Sequence, residues 1–110
     1  MLPAGYRLSF EDIDAAAAHA FLTTAYWCEG IPLATIERAI AHSLCIALLA
    51  DGQGQVGFAR VVTDRTTFAY LCDVYVLEAH RGKGLADGMI RALLDHPEDR
   101  KSTRLNSSHT

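Results

Sequence analysis

Residues 74–86 read Val74-Tyr75-Val76-Leu77-Glu78-Ala79-His80-Arg81-Gly82-Lys83-Gly84-Leu85-Ala86. A β-branched strand pattern leads through a basic loop into an amphipathic helix pattern. The first turn of a helix has backbone N–H groups without internal partners and carries the positive end of the helix dipole. Gly82 and Gly84 permit an anion to approach these groups closely, and Arg81 and Lys83 place positive charge around it. The stretch therefore predicts an anion site at a strand-to-helix connection, with an ordinary solvated turn as the alternative.

Apolar positions elsewhere in the chain recur with strand and helix periods and predict one domain of the α/β (α+β) class. Its elements follow the order β-α-α-β-β-β-α. Strands are predicted at residues 6–10, 44–50, 56–63 and 67–77, and helices after Ser9, from Pro32 and from Leu85 to Pro97. We expect Ser9 to cap the first helix, with Asp12 completing a capping box.

The segment Arg81-Gly82-Lys83-Gly84-Leu85-Ala86 resembles the Arg/Gln-x-x-Gly-x-Gly/Ala signature of the GCN5-related N-acetyltransferase (GNAT) superfamily. The upstream run Phe58-Ala59-Arg60-Val61-Val62-Thr63-Asp64 resembles the strand that comes third in small members of the family. The dinucleotide-binding and P-loop fingerprints do not fit, because the glycines they require are missing at the necessary spacing. The resemblance implies a GNAT-like mixed sheet and covers the N-terminal part of that fold, up to the helix after the fourth strand.

The GNAT resemblance implies an acyltransferase that moves an acetyl group from acetyl-coenzyme A (acetyl-CoA), as co-substrate, to a primary amine of a small molecule or peptide. No metal is expected, and a homodimer of the intact protein is left open. The cofactor-binding residues would be the loop that holds the pyrophosphate and the strand that contacts the thioester and pantetheine: Arg81, Gly82, Lys83, Gly84, Leu85 and Ala86, with Val74, Tyr75 and Val76.

Asp73 is the candidate catalytic residue, because it is a charged residue inside an otherwise apolar strand. It could accept a proton from the amine, directly or through water, or it could be a structural hydrogen-bond acceptor. In GNAT proteins the connection between the first two helices lines the acceptor site, which implies substrate-binding roles for Tyr26, Trp27 and Glu29. Packing against the core is the alternative for Trp27.

Residues 99–109 match the in-frame translation of a sequencing-library adapter. We therefore expect residues 1–98 to form a partial GNAT domain and residues 99–110 to be a non-native polar tail that makes few contacts with it. The family's fifth strand, which is parallel to the fourth and completes the thioester cleft, is expected to be missing. Low activity of the truncated chain would follow.

Charge balance, apolar run length and cysteine spacing limit the partners and sites that we expect. The chain has ten basic and thirteen acidic residues. Residues 1–98 hold seven of the basic and twelve of the acidic ones, a net charge of −5, which does not favour nucleic-acid binding. Neither a membrane-spanning segment nor an export signal is apparent, so we expect a cytoplasmic protein. Cys28, Cys45 and Cys72 are too widely spaced for a metal pair and odd in number for disulfides.

Two alternatives to an enzyme remain at this point. The same loop would occur in a non-catalytic coenzyme A-binding or interaction module. A structural fragment that binds no ligand is the other alternative.

Overall fold

The computed structural model describes residues 2–95 and, as backbone, residues 105–107. The element order predicted from the sequence, β-α-α-β-β-β-α, is confirmed, and a fifth short strand follows it. The strands are β1 Tyr6–Ser9, β2 Leu44–Ala50, β3 Gly54–Thr63, β4 Ala69–Val76 and β5 Leu105–Ser107. The helices are α1 Ala15–Leu22, α2 Leu33–Ala41 and α3 Leu85–Asp95, and Glu78–His80 forms a 3₁₀ turn before α3.

The five strands form one mixed sheet in the order β1-β2-β3-β4-β5. Strands β1 to β4 are antiparallel to their neighbours, whereas β5 is parallel to β4. The register of β3 and β4 shifts between the pairs Arg60–Asp73 and Val61–Leu71, so Cys72 is an extra residue in β4. This β-bulge changes the alternation of side chains along the strand. Leu71 and Val74 consequently belong to the same apolar cluster.

The short strand β5 lies within the expected polar tail. A strand parallel to the fourth is present, and the backbone of Leu105–Ser107 pairs with Ala69–Leu71. The expectation of few contacts is therefore wrong for these three residues. The edge of β4 offers unpaired N–H and C=O groups, and these accept an extended backbone whatever its side chains are. The other residues of the expected tail lie outside the described part of the chain.

Helices cover both faces of the sheet. On one face α3 packs through Leu85, Met89 and Leu93, each at most 2% exposed, against apolar side chains of β2, β3 and β4. On the other face α1 and α2 enclose a second cluster, which consists of Ala18, Leu22, Ile36, Cys45, Phe58 and Tyr75. The edge of β4 therefore lies between the two helical layers, and this edge holds the candidate site.

The helix α1 begins later than the sequence predicts. Its N-cap is Asp14, whose Oδ1 accepts the N–H of Ala17 at 3.0 Å. Ser9 instead accepts the N–H groups of Glu11 and Asp12 in a local turn. Gln55 explains the difference, because its side chain bonds both backbone groups of Asp14 and fixes the chain there. The start of α1 is thus set by a residue of β3, which local sequence cannot show.

Candidate active site

The loop before α3 has the geometry of an anion site. Gly82 and Gly84 have φ angles of 81° and 73°, which other residue types adopt only with strain. The carbonyl of Gly84 accepts the N–H of Gly88 at 3.1 Å, so the N–H groups of Leu85, Ala86 and Asp87 precede the first helical hydrogen bond. They border a cleft of about 130 Å³, here called the glycine-loop cleft. Its lining also includes Val76, His80, Arg81, Gly82 and Gly84.

Arg81 lies along the end of β4. Its Nε donates a hydrogen bond to the carbonyl of Val76 at 2.8 Å, which holds the guanidinium beside the sheet edge. Lys83 is exposed and does not line the glycine-loop cleft. The two basic residues of the loop therefore differ: Arg81 has a fixed position at the site, and Lys83 contributes charge at its outside.

A larger cavity of about 580 Å³ adjoins the glycine-loop cleft along β4. The two share Val76, Arg81 and Ala86. We call it the strand-edge cavity, and the remainder of its lining is mostly apolar and comes from β4, α3 and the α1 region: Phe21, Tyr26, Trp27, Leu71, Val74, Tyr75 and Ile90. The combined space has backbone N–H groups and Arg81 at one end and is mostly apolar along its length.

Backbone groups of β4 face this cavity. The N–H of Leu77 bonds to Val56 in β3, so by the alternation of an antiparallel ladder the amide of Tyr75 also points to β3. Val74 and Val76 then direct their N–H groups to the opposite edge, which agrees with the Arg81 bond to the Val76 carbonyl. Among the described residues β5 covers this edge only at Ala69–Leu71. Two backbone donors are thus available at the strand-edge cavity.

The structure brings two of the three predicted acceptor-loop residues to the strand-edge cavity. Tyr26 is 83% exposed and packs edge-on against Trp27, with ring centroids 5.1 Å apart. Trp27 is half-buried and its indole Nε1 donates to Oδ1 of Asp73 at 2.8 Å. Glu29 is exposed and lies outside the linings of the cavities described here.

Asp73 is 6% exposed, and both of its carboxylate oxygens accept hydrogen bonds. Oδ2 accepts Nε of Arg60 at 2.7 Å, and Oδ1 accepts the indole of Trp27. Of the two roles predicted for Asp73, these contacts favour the structural acceptor. Removing a proton from an amine would require the carboxylate to give up part of a buried ion pair.

Tyr75 faces the same helical layer as Asp73. Its ring stacks on Phe21 at a centroid distance of 4.2 Å, and its hydroxyl donates to the carbonyl of Ala17 at 3.3 Å. Burial raises the pKa of Tyr75. These contacts indicate a packing role for the ring, and a phenol with a raised pKa is a weaker acid.

Two residues of the site were not singled out in the sequence. His80 is 7% exposed below the glycine loop, where its Nε2 donates to Oε1 of Gln53 and its Nδ1 bonds the hydroxyl of Tyr6 at 2.6 Å. Arg60 reaches Asp73 across the sheet. A lone charge in an apolar strand, the signal that identified Asp73, is present at Arg60 too. No such signal exists for His80, since its partners are far away in sequence.

The described residues hold no group of three or more His, Cys, Asp and Glu side chains that could bind a metal ion. Nor does any helix in that part of the chain have the length and apolar character needed to cross a bilayer.

Comparisons with known proteins agree with this geometry. A GNAT-family acetyltransferase from Xanthomonas campestris has a crystal structure that superposes with a TM-score of 0.90 at 38% identity, covering 100% of this chain and 78% of that one. An aminoglycoside N-acetyltransferase in complex with CoA gives a TM-score of 0.71 at 18% identity, covering 100% of this chain and 82% of that one, which shows the fold alone.

Among curated proteins, one from Gibberella zeae that is named as an acetyltransferase is 31% identical over 98 residues. The match covers 74% of this chain and 55% of that protein, so the chain spans about half the length of this relative. The model of the acetyltransferase (GNAT) family matches residues 10–110. The family match over residues 10–110 and the 31% identity to the Gibberella zeae protein show that the chain belongs to the GNAT acetyltransferase family.

Proposed function

We propose that this protein is an N-acetyltransferase that uses acetyl-CoA as donor and a primary amine of a small molecule or peptide as acceptor. The observation that carries the proposal is that the glycine-loop cleft adjoins the strand-edge cavity at Val76, Arg81 and Ala86. A pyrophosphate needs backbone donors and positive charge, and a pantetheine arm needs an apolar channel with amide partners. The glycine-loop cleft would meet the needs of the pyrophosphate, and the adjoining strand-edge cavity would meet those of the pantetheine arm.

The residues fit the donor at both ends. The N–H groups at the start of α3 and the guanidinium of Arg81 would hold the pyrophosphate, since helix N-termini and arginine both favour phosphate oxygens. The N–H groups of Val74 and Val76 point to the cavity and would stabilise negative charge that develops on the thioester oxygen. Leu71, Val74 and Ile90 provide apolar surface between them.

The reaction forms a bond between the amine nitrogen and the acetyl carbon and breaks the carbon–sulfur bond of the thioester. The amine must be neutral to attack, and its proton ends on the released thiol. For this step we assign Asp73 a positioning role: it holds the indole of Trp27 at the wall of the strand-edge cavity while Arg60 neutralises its charge. Trp27 and Tyr26 would contact the carbon skeleton of the acceptor.

The direct experiment measures CoA binding to the full chain by calorimetry, and then the release of free thiol from acetyl-CoA with a panel of primary amines. Binding together with amine-dependent thiol release supports the proposal. Binding without release for any amine would favour the non-catalytic coenzyme A-binding module. The expected low activity of this chain stays a prediction that the same assay tests, since ordinary enzymes turn over at roughly 1–10³ per second.

A further inference from the structure

A separate cavity of about 250 Å³ lies behind Trp27, on the sheet face that α1 and α2 cover. We call it the Arg60 cavity. The α1–α2 loop and α2 provide apolar walls, which include Ile31, Ile36 and Ala39, whereas β3 and β4 provide the Arg60–Asp73 pair. Trp27 is the residue that the linings of this cavity and the strand-edge cavity share, so it borders both spaces.

The guanidinium of Arg60 has unused N–H donors in this cavity. Its Nε donates to Asp73, and its Nη1 donates to the hydroxyl of Ser43 at 3.1 Å. A guanidinium has five N–H donors. The other three have no partner within residues 2–95, although the side chain is only 20% exposed. Such a half-buried N–H edge matches the two oxygens of a carboxylate.

The unused hydrogen-bonding groups of the pair decide which group of a ligand would enter. Asp73 already accepts two hydrogen bonds and its charge is offset by Arg60, so the carboxylate offers little to an ammonium group. The pair is neutral as a whole, so its unused N–H groups discriminate: an ammonium group finds no free acceptor among the described residues beside the guanidinium, whereas a carboxylate accepts hydrogen bonds from it, although it also lies near the Asp73 carboxylate. The apolar walls favour methylene groups beside that anion.

We propose that the Arg60 cavity binds a carboxylate of the acceptor, and that the acceptor is an amino carboxylate whose amine and carboxylate are separated by an apolar chain. The apolar chain between the two groups is required because the amine must extend past Trp27 to reach the edge of β4 at Val74. This assignment rests on the proposed acetyl transfer and specifies its substrate class.

The test uses two matched amines and the full chain saturated with CoA. The probes are 6-aminohexanoate and n-pentylamine, which differ by the carboxylate. Trp27 is the only tryptophan of the chain, so its fluorescence reports binding on either side of the indole. We expect 6-aminohexanoate to bind about ten- to a hundredfold more tightly, which is the effect of a hydrogen-bonded charge. Equal affinities would overturn the proposal.

Variants locate the effect at Arg60. Arg60→Gln removes the charge, and the double variant Arg60→Gln with Asp73→Asn also avoids a buried unpaired carboxylate, so it keeps the assay usable if the single variant does not fold. Both should bind the two probes equally, and a preference for the carboxylate that persists in the double variant would contradict the assignment. Thiol release with n-pentylamine as fast as with 6-aminohexanoate would overturn the assignment but leave acetyl transfer standing. A carboxylate preference without CoA binding would support the cavity and refute acetyl transfer.

Discussion

Arg60 and Asp73 stand directly opposite each other on β3 and β4, and 2.7 Å separates Nε of the guanidinium from Oδ2 of the carboxylate. When side-chain atoms alone are counted, Arg60 is 20% exposed and Asp73 is 8% exposed. Because Asp73 also accepts the indole of Trp27, this cross-strand pair connects the centre of the sheet with the acceptor loop. The pair is therefore important for both stability and the shape of the site.

Truncating one member of this pair should destabilise the protein more than replacing both. We expect Asp73→Ala to lower the free energy of unfolding by about 3–5 kcal/mol, because it leaves a half-buried guanidinium without its partner. The double variant Arg60→Met with Asp73→Leu should lose less. Urea unfolding followed by circular dichroism measures both. A double variant less stable than Asp73→Ala would contradict the expectation.

The glycine loop should depend on backbone conformation more than on the charge of Lys83. Gly84→Val forces a branched residue into a φ of 73° and should weaken CoA binding by about tenfold or more, since hydrogen bonds to charged groups are lost. Lys83→Ala removes an exposed charge and should weaken binding by about two- to fivefold. Calorimetry with CoA measures both affinities.

A control for backbone strain is available at Gly30. Its φ is 80°, and an added Cβ there would meet no atom within 4 Å, as at Gly84. Gly30 does not line the glycine-loop cleft. Gly30→Val should therefore weaken CoA binding far less than Gly84→Val does. Similar small losses in the Gly84 and Lys83 variants would show that the phosphates bind elsewhere.

The hydroxyl of Tyr6 should stabilise the support of the glycine loop. Tyr6→Phe removes the 2.6 Å hydrogen bond to Nδ1 of the buried His80, and it should lower the free energy of unfolding by about 1–3 kcal/mol. Tyr70→Phe is the matched control, because within residues 2–95 the Tyr70 hydroxyl makes no comparable hydrogen bond. Thermal melts of the two variants give the difference. Equal stability of the two variants would show that the Tyr6 hydroxyl does not stabilise the support of the glycine loop.

The buried thiol of Cys45 should make the folded protein less stable at alkaline pH. Burial raises the pKa of Cys45 to about 12, whereas the pKa of an unfolded cysteine is about 8.5. Below both values the thiol is protonated in the folded and unfolded states and stability is constant. Between them only the unfolded state loses the proton, so the free energy of unfolding should fall by up to about 1.4 kcal/mol per pH unit as pH rises.

Chemical denaturation at pH 8, 9 and 10 measures this slope. Cys28, Cys72 and Tyr75, whose pKa values are also raised by burial, add to it with the same sign. Cys45→Ala isolates the contribution of one residue and should reduce the slope. An unchanged slope in that variant would show that Cys45 ionises normally in the folded protein.

Local sequence predicted those parts of the molecule that local chemistry determines. The strand β2 begins and ends at Leu44 and Ala50 as predicted, because turn-forming and polar residues flank an apolar run. The two glycines with positive φ before α3 follow from the turn that the loop must make. Val74, Val76, Arg81 and Trp27, which the GNAT resemblance implied as binding residues, line the strand-edge cavity, and their binding roles stay predictions.

The parts that local sequence did not predict depend on contacts between distant residues. The Arg60–Asp73 pair requires the register of β3 and β4, and that register contains a shift. Asp14 caps α1 in place of Ser9 because Gln55 holds it from another strand. The same holds for His80 and Tyr6, which meet only after β1 and the 3₁₀ turn are packed together.

The extra residue Cys72 limits how the length of β4 can vary. With it, Leu71 and Val74 face the α3 layer while Asp73 faces the Arg60 cavity. Deleting one residue between Leu71 and Val74 would have one of two effects. Either the carboxylate of Asp73 would face the apolar layer under α3, or every side chain of β4 before the deletion would move to the opposite face of the sheet. Related chains that keep this cavity should therefore differ in the type of residue at position 72 before they differ in the number of residues between Leu71 and Val74.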